Sequence, residues 1–99
     1  MIVRLLLLAV AFAALVPATE AASPAPPPGA AACSGCHPAR KAVTTPVPRL
    51  VGRNPAEIAA AVQAFRSGQK PASVMDRIAK GFSDDEIKAI AAWYAAQPD

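Results

Sequence analysis

Cys33-Ser34-Gly35-Cys36-His37 contains both cysteines and the only histidine of this 99-residue chain. A pair of thiols this close reads in three ways. A thiol–disulfide redox pair belongs in a strand–helix–strand context, and no strand pattern surrounds it. A structural zinc ion asks for four protein ligands and a catalytic one for three plus water. The adjacent Cys36 and His37 would meet one tetrahedral ion awkwardly. The third reading is covalent haem attachment. Two thiols add across two vinyl groups on one edge of a haem, and the next residue points an imidazole at the iron.

Outward on the amino-terminal side, Arg4 precedes an unbroken apolar run from Leu5 to Val16, and Pro17 ends it. Small residues follow: Ala18, Thr19, Ala21 and Ala22. Twelve apolar residues suit a signal peptide, whereas a bilayer span needs about 20. Residues 1–21 therefore read as an export signal with cleavage near Ala21, or at Ala18. An uncleaved amino-terminal anchor is the alternative. Residues 22–32 form a Pro/Ala-rich lead, expected to be extended or disordered up to Gly29 because consecutive prolines favour polyproline II. Residues 33–99 make the single domain that this length allows. Export fits haem attachment of this kind and places the protein in the periplasm, with no membrane span in the mature chain.

Outward on the carboxyl-terminal side, residues 38–53 carry Pro38, Pro46 and Pro48 and read as a loop. Asn54-Pro55-Ala56-Glu57 then opens a helix: a preferred cap, proline at the first position, and Glu57 placed to reach back. Ile58, Val62 and Phe65 give it one apolar stripe, and Gly68 stops it. A short helix is expected over 74–80, with Ser73 as cap, Asp76 at its third position and Gly81 as terminator. Ser83-Asp84-Asp85-Glu86 is a cleaner capping box, with Phe82 and Ile87 placed as a hydrophobic staple. Ile87, Ile90, Ala91 and Tyr94 continue a last helix to about Ala96, before Pro98. The fold class is all-α: three or four short helices and long loops.

The core is thin. Without residues 1–21 the chain has 78 residues, nineteen of them alanine, and only fifteen apolar side chains larger than that besides the two cysteines. Domains this small usually need a staple. A porphyrin buried among helices supplies the missing apolar centre. It also fixes the ligands. His37 is the only histidine, and Met75 is the only methionine after signal removal, 38 residues further on. A methionine in an apolar stretch is ordinarily core filler. Here the absence of another candidate makes it the sixth ligand, with a five-coordinate iron or a lysine ligand as the alternatives. His/Met ligation raises the reduction potential and closes the iron to small molecules, so the site transfers electrons and has no catalytic residues of its own. A ligating histidine usually donates its other N–H to an acceptor. The carbonyl of Pro48, in Val47-Pro48-Arg49-Leu50, is the candidate, unless that proline only makes a turn.

Taken in order, CSGCH at 33–37, Pro48-Arg49-Leu50-Val51-Gly52, Met75 and the closing helix with Trp93-Tyr94 resemble a small class I cytochrome c over residues 33–97. Phe65-Arg66-Ser67-Gly68, Lys70-Pro71-Ala72-Ser73-Val74-Met75 and Arg77-Ile78-Ala79-Lys80-Gly81-Phe82-Ser83 are similar to the cytochrome subunit of flavocytochrome c sulfide dehydrogenase. The resemblance implies one covalently bound haem c and a partner FAD flavoprotein that oxidises sulfide and passes on the electrons. The chain departs from the family in its first helix, since only Ala30-Ala31-Ala32 precede Cys33. It also departs in Pro38, which follows the haem histidine, and in its single CxxCH where many such subunits carry two.

The formal net charge is +3, and signal removal leaves it unchanged. The basic residues are dispersed and no aromatics interleave with a basic run, which argues against nucleic acid. Arg49, Arg53 and Lys70 are candidates to neutralise haem propionates, or are simply solvated surface. Two functions remain open: the haem subunit of a flavoprotein sulfide dehydrogenase, and a diffusible monohaem carrier between respiratory or sulfur-oxidising periplasmic proteins. A gas-binding haem with an open iron conflicts with Met75.

Overall fold

The computed structural model describes residues 25–98, so the expected export signal lies outside the described residues. Four helices follow one another: α1 (Ala30–Cys33), α2 (Pro55–Ser67), α3 (Met75–Ala79) and α4 (Asp84–Ala96). No strand occurs among the described residues. α2 packs against both α3 and α4.

Local chemistry sets most of the boundaries. The Asn54 side chain accepts from Ala56 N at 2.8 Å and Glu57 N at 3.3 Å, satisfying amides that the first turn of α2 leaves without partners. The Glu57 carboxylate does not close the box expected from the sequence; it lies on a cavity wall instead. Gly68 ends α2 with φ +80°, a left-handed conformation that glycine reaches without strain. At α4 the box is complete. Ser83 Oγ accepts from Glu86 N, and Glu86 Oε1 accepts from Ser83 N. The Ser83 amide, and after it the hydroxyl, hold the Glu86 carboxyl below its usual pKa.

α3 starts later than the sequence indicates. Its cap is Val74, with no side-chain hydrogen bond, and Ser73 does not cap it. The Val74 carbonyl takes the amides of Arg77 and Ile78. Gly81 donates to Ile78 O without a positive φ, so it does not terminate the helix in the expected way. Val74, Met75, Ile78 and Ala79 all line one cavity, and that wall, more than a hydroxyl, places this helix.

Two ties close the fold. The phenol of Tyr94 on α4 donates to the Ala30 carbonyl on α1 at 2.5 Å, and Gly52 N donates to Tyr94 O at 3.2 Å. The short first helix is thereby fixed to the closing helix. Arg66, near the end of α2, donates to Phe82 O at 3.0 Å and pairs with Asp84 at the start of α4. Ala30, Val51, Ile58, Ile90, Ala91 and Tyr94 form the core, with Cys33, Leu50, Phe82 and Trp93 against it. Among the described residues no large side chain is fully buried, and Val43, Val74 and Ile78 are 48%, 49% and 42% exposed.

Candidate functional site

The residues singled out in the sequence come together. A cavity of about 510 Å³ opens between α1, the 46–50 loop, α2, α3 and the start of α4. Cys33, Cys36, His37 and Met75 all line it. That volume is in the range of small-molecule and cofactor pockets, about 300–1,000 Å³. Ile58, Val62, Phe65, Ile78 and Phe82 make the walls.

Each donor is placed by local structure. Cys33 is the last residue of α1. The amides of Cys36 and His37 both donate to its carbonyl, at 3.2 and 2.9 Å, which folds the motif into a tight turn. Both cysteines are free; Cys33 is half-buried and Cys36 exposed. Burial pushes the Cys33 thiol up in pKa. His37 Nδ1 donates to the Pro48 carbonyl at 2.5 Å. This is the acceptor anticipated from the sequence, and it leaves Nε2 as the ring nitrogen open to a metal. Met75 is the first residue of α3, half-buried, on the same cavity.

The braces behind His37 escaped the sequence reading. The Thr45 hydroxyl donates to Val47 O at 2.9 Å and accepts from Val47 N at 3.1 Å. Arg49 Nε donates to Ala39 O at 2.8 Å. Together they clamp the loop that presents Pro48 against the segment following His37. The only local signal for the first was a threonine just before the Pro46-Val47-Pro48 turn, a position where hydroxyls bond to nearby backbone. The second joins residues ten apart and has no local signal.

Two thiols, an imidazole with one nitrogen free and a thioether around an apolar cavity form a donor set suited to one haem. Similar proteins point the same way. The chain is 33% identical over 69 residues to "Cytochrome c-554(548)" of Halomonas halodenitrificans, covering 66% of this chain and 83% of that one. The chain belongs to the c-type cytochromes. This cytochrome is also 34% identical over 62 residues to "Cytochrome subunit of sulfide dehydrogenase" of Chlorobaculum tepidum, covering 63% of this chain and 56% of the relative. A "Thiosulfate dehydrogenase electron acceptor" of Thiomonas intermedia is 36% identical over 74 residues, covering 71% of this chain and 34% of the relative. The cytochrome thus spans about half the length of the first relative and a third of the second. No protein-family model matches it. Family membership implies covalently held haem c, and two cysteines beside one histidine fit a single haem. No helix among the described residues is long and apolar enough to cross a membrane.

Proposed function

We infer that the cytochrome is the electron-accepting haem subunit of a periplasmic flavoprotein sulfide dehydrogenase. In this reading Cys33 and Cys36 would hold the haem by thioethers, and His37 and Met75 would bind its iron. Residues 1–21 are the export signal, 22–32 a lead and 33–99 the cytochrome domain. The haem supplies a one-electron ferric/ferrous couple. The chain's own residues do the rest. With haem bound, His37, oriented by Pro48, and Met75 would both hold its iron, which would leave no coordination site for a small molecule. The apolar walls exclude water and raise the cost of charge at the iron.

The observation that carries the site assignment is the His37–Pro48 hydrogen bond in the cavity that Met75 and both cysteines line. The partner assignment is supported by the relatives named for sulfide and thiosulfate dehydrogenases and by the 65–83 stretch. Val47, Leu50 and Val74 line the cavity, and Val74 is half exposed, which suits a stable apolar interface more than a salt-sensitive one. The test is co-expression with a candidate FAD flavoprotein and gel filtration at low and high salt. A complex that survives high salt is the expected result. A chain that elutes alone in both contradicts the subunit reading.

The similarity to the Halomonas cytochrome, most of whose length the chain covers, favours a second reading: a diffusible monohaem carrier. Such a carrier docks weakly through charge, and its electron-transfer rate falls steeply with ionic strength.

A further inference from the structure

Met75 sits on the least self-sufficient element of the fold. α3 has five residues and no side-chain cap, and it leaves Val74 and Ile78 half exposed. A helix this short is not stable by itself, so its place comes from what ties it down. Its own hydrogen bonds are local: Arg77 N and Ile78 N to Val74 O, Gly81 N to Ile78 O, and Phe82 N to Ala79 O. Two further bonds tie the segment around it to one place, the last turn of α2. At the outgoing end Lys70 N donates to Ala64 O at 3.1 Å, and the Lys70 ammonium lies 5.0 Å from the centroid of the Phe65 ring. At the returning end Arg66 Nη1 donates to Phe82 O at 3.0 Å. Residues 70–82 thus form a loop with Met75 in its span and both feet on α2.

The two feet differ. The outgoing one is backbone to backbone and follows directly from the turn at Gly68. The returning one joins residues 16 apart and depends on a single side chain. Arg66 also reaches the Asp84 carboxylate with Nη2. One planar guanidinium therefore grips both the carbonyl that ends the Met75 segment and the first residue of α4. The Phe82 ring lines the cavity and packs on the core beside Gly29. Moving its carbonyl moves that wall. Arg66 itself does not line the cavity, so it acts on the site only through the segment it holds.

We propose that Arg66 is a positioning residue for Met75: by gripping Phe82 O and Asp84 together it keeps residues 70–82 closed on α2, and without it that segment opens as a unit and carries Met75 away from the cavity while α1, α2 and α4 stay folded. The side chains of the ion pair are 31% and 57% exposed, so the pair adds little to global stability. Local opening is a separate and easier event than global unfolding, and a bond made only in the closed form acts on it directly. The inference rests on the Met75 ligation proposed above.

The experiment is stopped-flow binding of carbon monoxide to the reduced holoprotein at saturating gas, where the rate reads the departure of Met75, with thermal unfolding of the same samples. Arg66→Gln should bind carbon monoxide about tenfold faster, as expected for the loss of a hydrogen bond from a charged group. It should also weaken the far-red band of the oxidised protein. Arg66→Lys, whose ammonium lacks the fork, should fall between it and wild type. Asp84→Asn keeps the Phe82 bond and should bind about twofold faster. Tyr94→Phe is the control: it loosens α1 from α4 and lowers the unfolding temperature, yet should leave the carbon monoxide rate at the wild-type value. An Arg66→Gln rate equal to wild type, or an equally large rise in Tyr94→Phe, overturns the proposal and leaves the Met75 assignment intact. If Arg66→Gln does not fold, an unchanged rate in Asp84→Asn overturns it. A wild-type protein that binds carbon monoxide as fast as Met75→Ala overturns the Met75 assignment and the proposal with it.

Discussion

His37 shows how much a single residue can reveal. One ring nitrogen is committed to the Pro48 carbonyl, which leaves the other open to a metal. Spacing made this legible in the sequence: a lone histidine after two cysteines, and a rigid proline carbonyl eleven residues on. The Thr45 and Arg49 braces were not legible, because both depend on how the loop folds back. Met75 belongs to the same scale. It was assigned by elimination in the sequence, and the fold brings it to the cavity that His37 lines. Met75→Ala should abolish the weak far-red charge-transfer band of the oxidised protein and let carbon monoxide bind the reduced iron. A variant whose spectrum and carbon monoxide binding match wild type contradicts the assignment.

At the scale of elements, α2 and α4 could be read directly, because their caps are encoded within four residues each. α3 could not. Its start is set by the cavity wall to which Val74, Met75, Ile78 and Ala79 belong, so Ser73 was a false signal. The union of α1 with α4 was also invisible, since it joins residues 64 apart in the chain. Gly29 enables it. With φ +85° it turns the proline lead into α1, and a Cβ there would collide with the Phe82 ring. Tyr94→Phe leaves the Ala30 carbonyl buried without its partner, at a cost of about 1–3 kcal/mol. Thermal unfolding should fall by roughly 4–8 °C per kcal/mol in a domain of this size. The pH dependence has a definite sign. Burial raises the Tyr94 pKa above its ordinary 10.0. Its contribution to stability is therefore full below about pH 10 and lost as pH rises through the folded-state value. Tyr94 is the only tyrosine, so phenolate absorbance reports it alone. Wild type should unfold as Tyr94 ionises, and Tyr94→Phe should lose that alkaline step. An alkaline transition unchanged in the variant contradicts the role given to the tie.

For the molecule as a whole, the shortage of large apolar residues predicted a fold built around something other than side chains. The structure agrees in kind: a core of alanines, β-branched residues and one tyrosine beside a cavity lined by the best apolar side chains of α2, α3 and α4. Burial at about 25 cal/mol per Å² cannot offset chain entropy when those walls face solvent. Cys33→Ala with Cys36→Ala should thus leave the exported chain largely unfolded, with weak helical circular dichroism and rapid proteolysis. A double variant that keeps wild-type helicity and resists protease contradicts this. The fold class was legible in the sequence, and so was the set of four residues that share the cavity, because both rest on spacing and counting. The measurement that bears most directly on the central claim is acid–acetone extraction of the purified protein, followed by mass spectrometry of the peptide carrying residues 33–37. One haem should stay with the pellet and add its mass to that peptide through Cys33 and Cys36. Haem released into the solvent, or a Cys33–Cys36 disulfide on the peptide, contradicts the account.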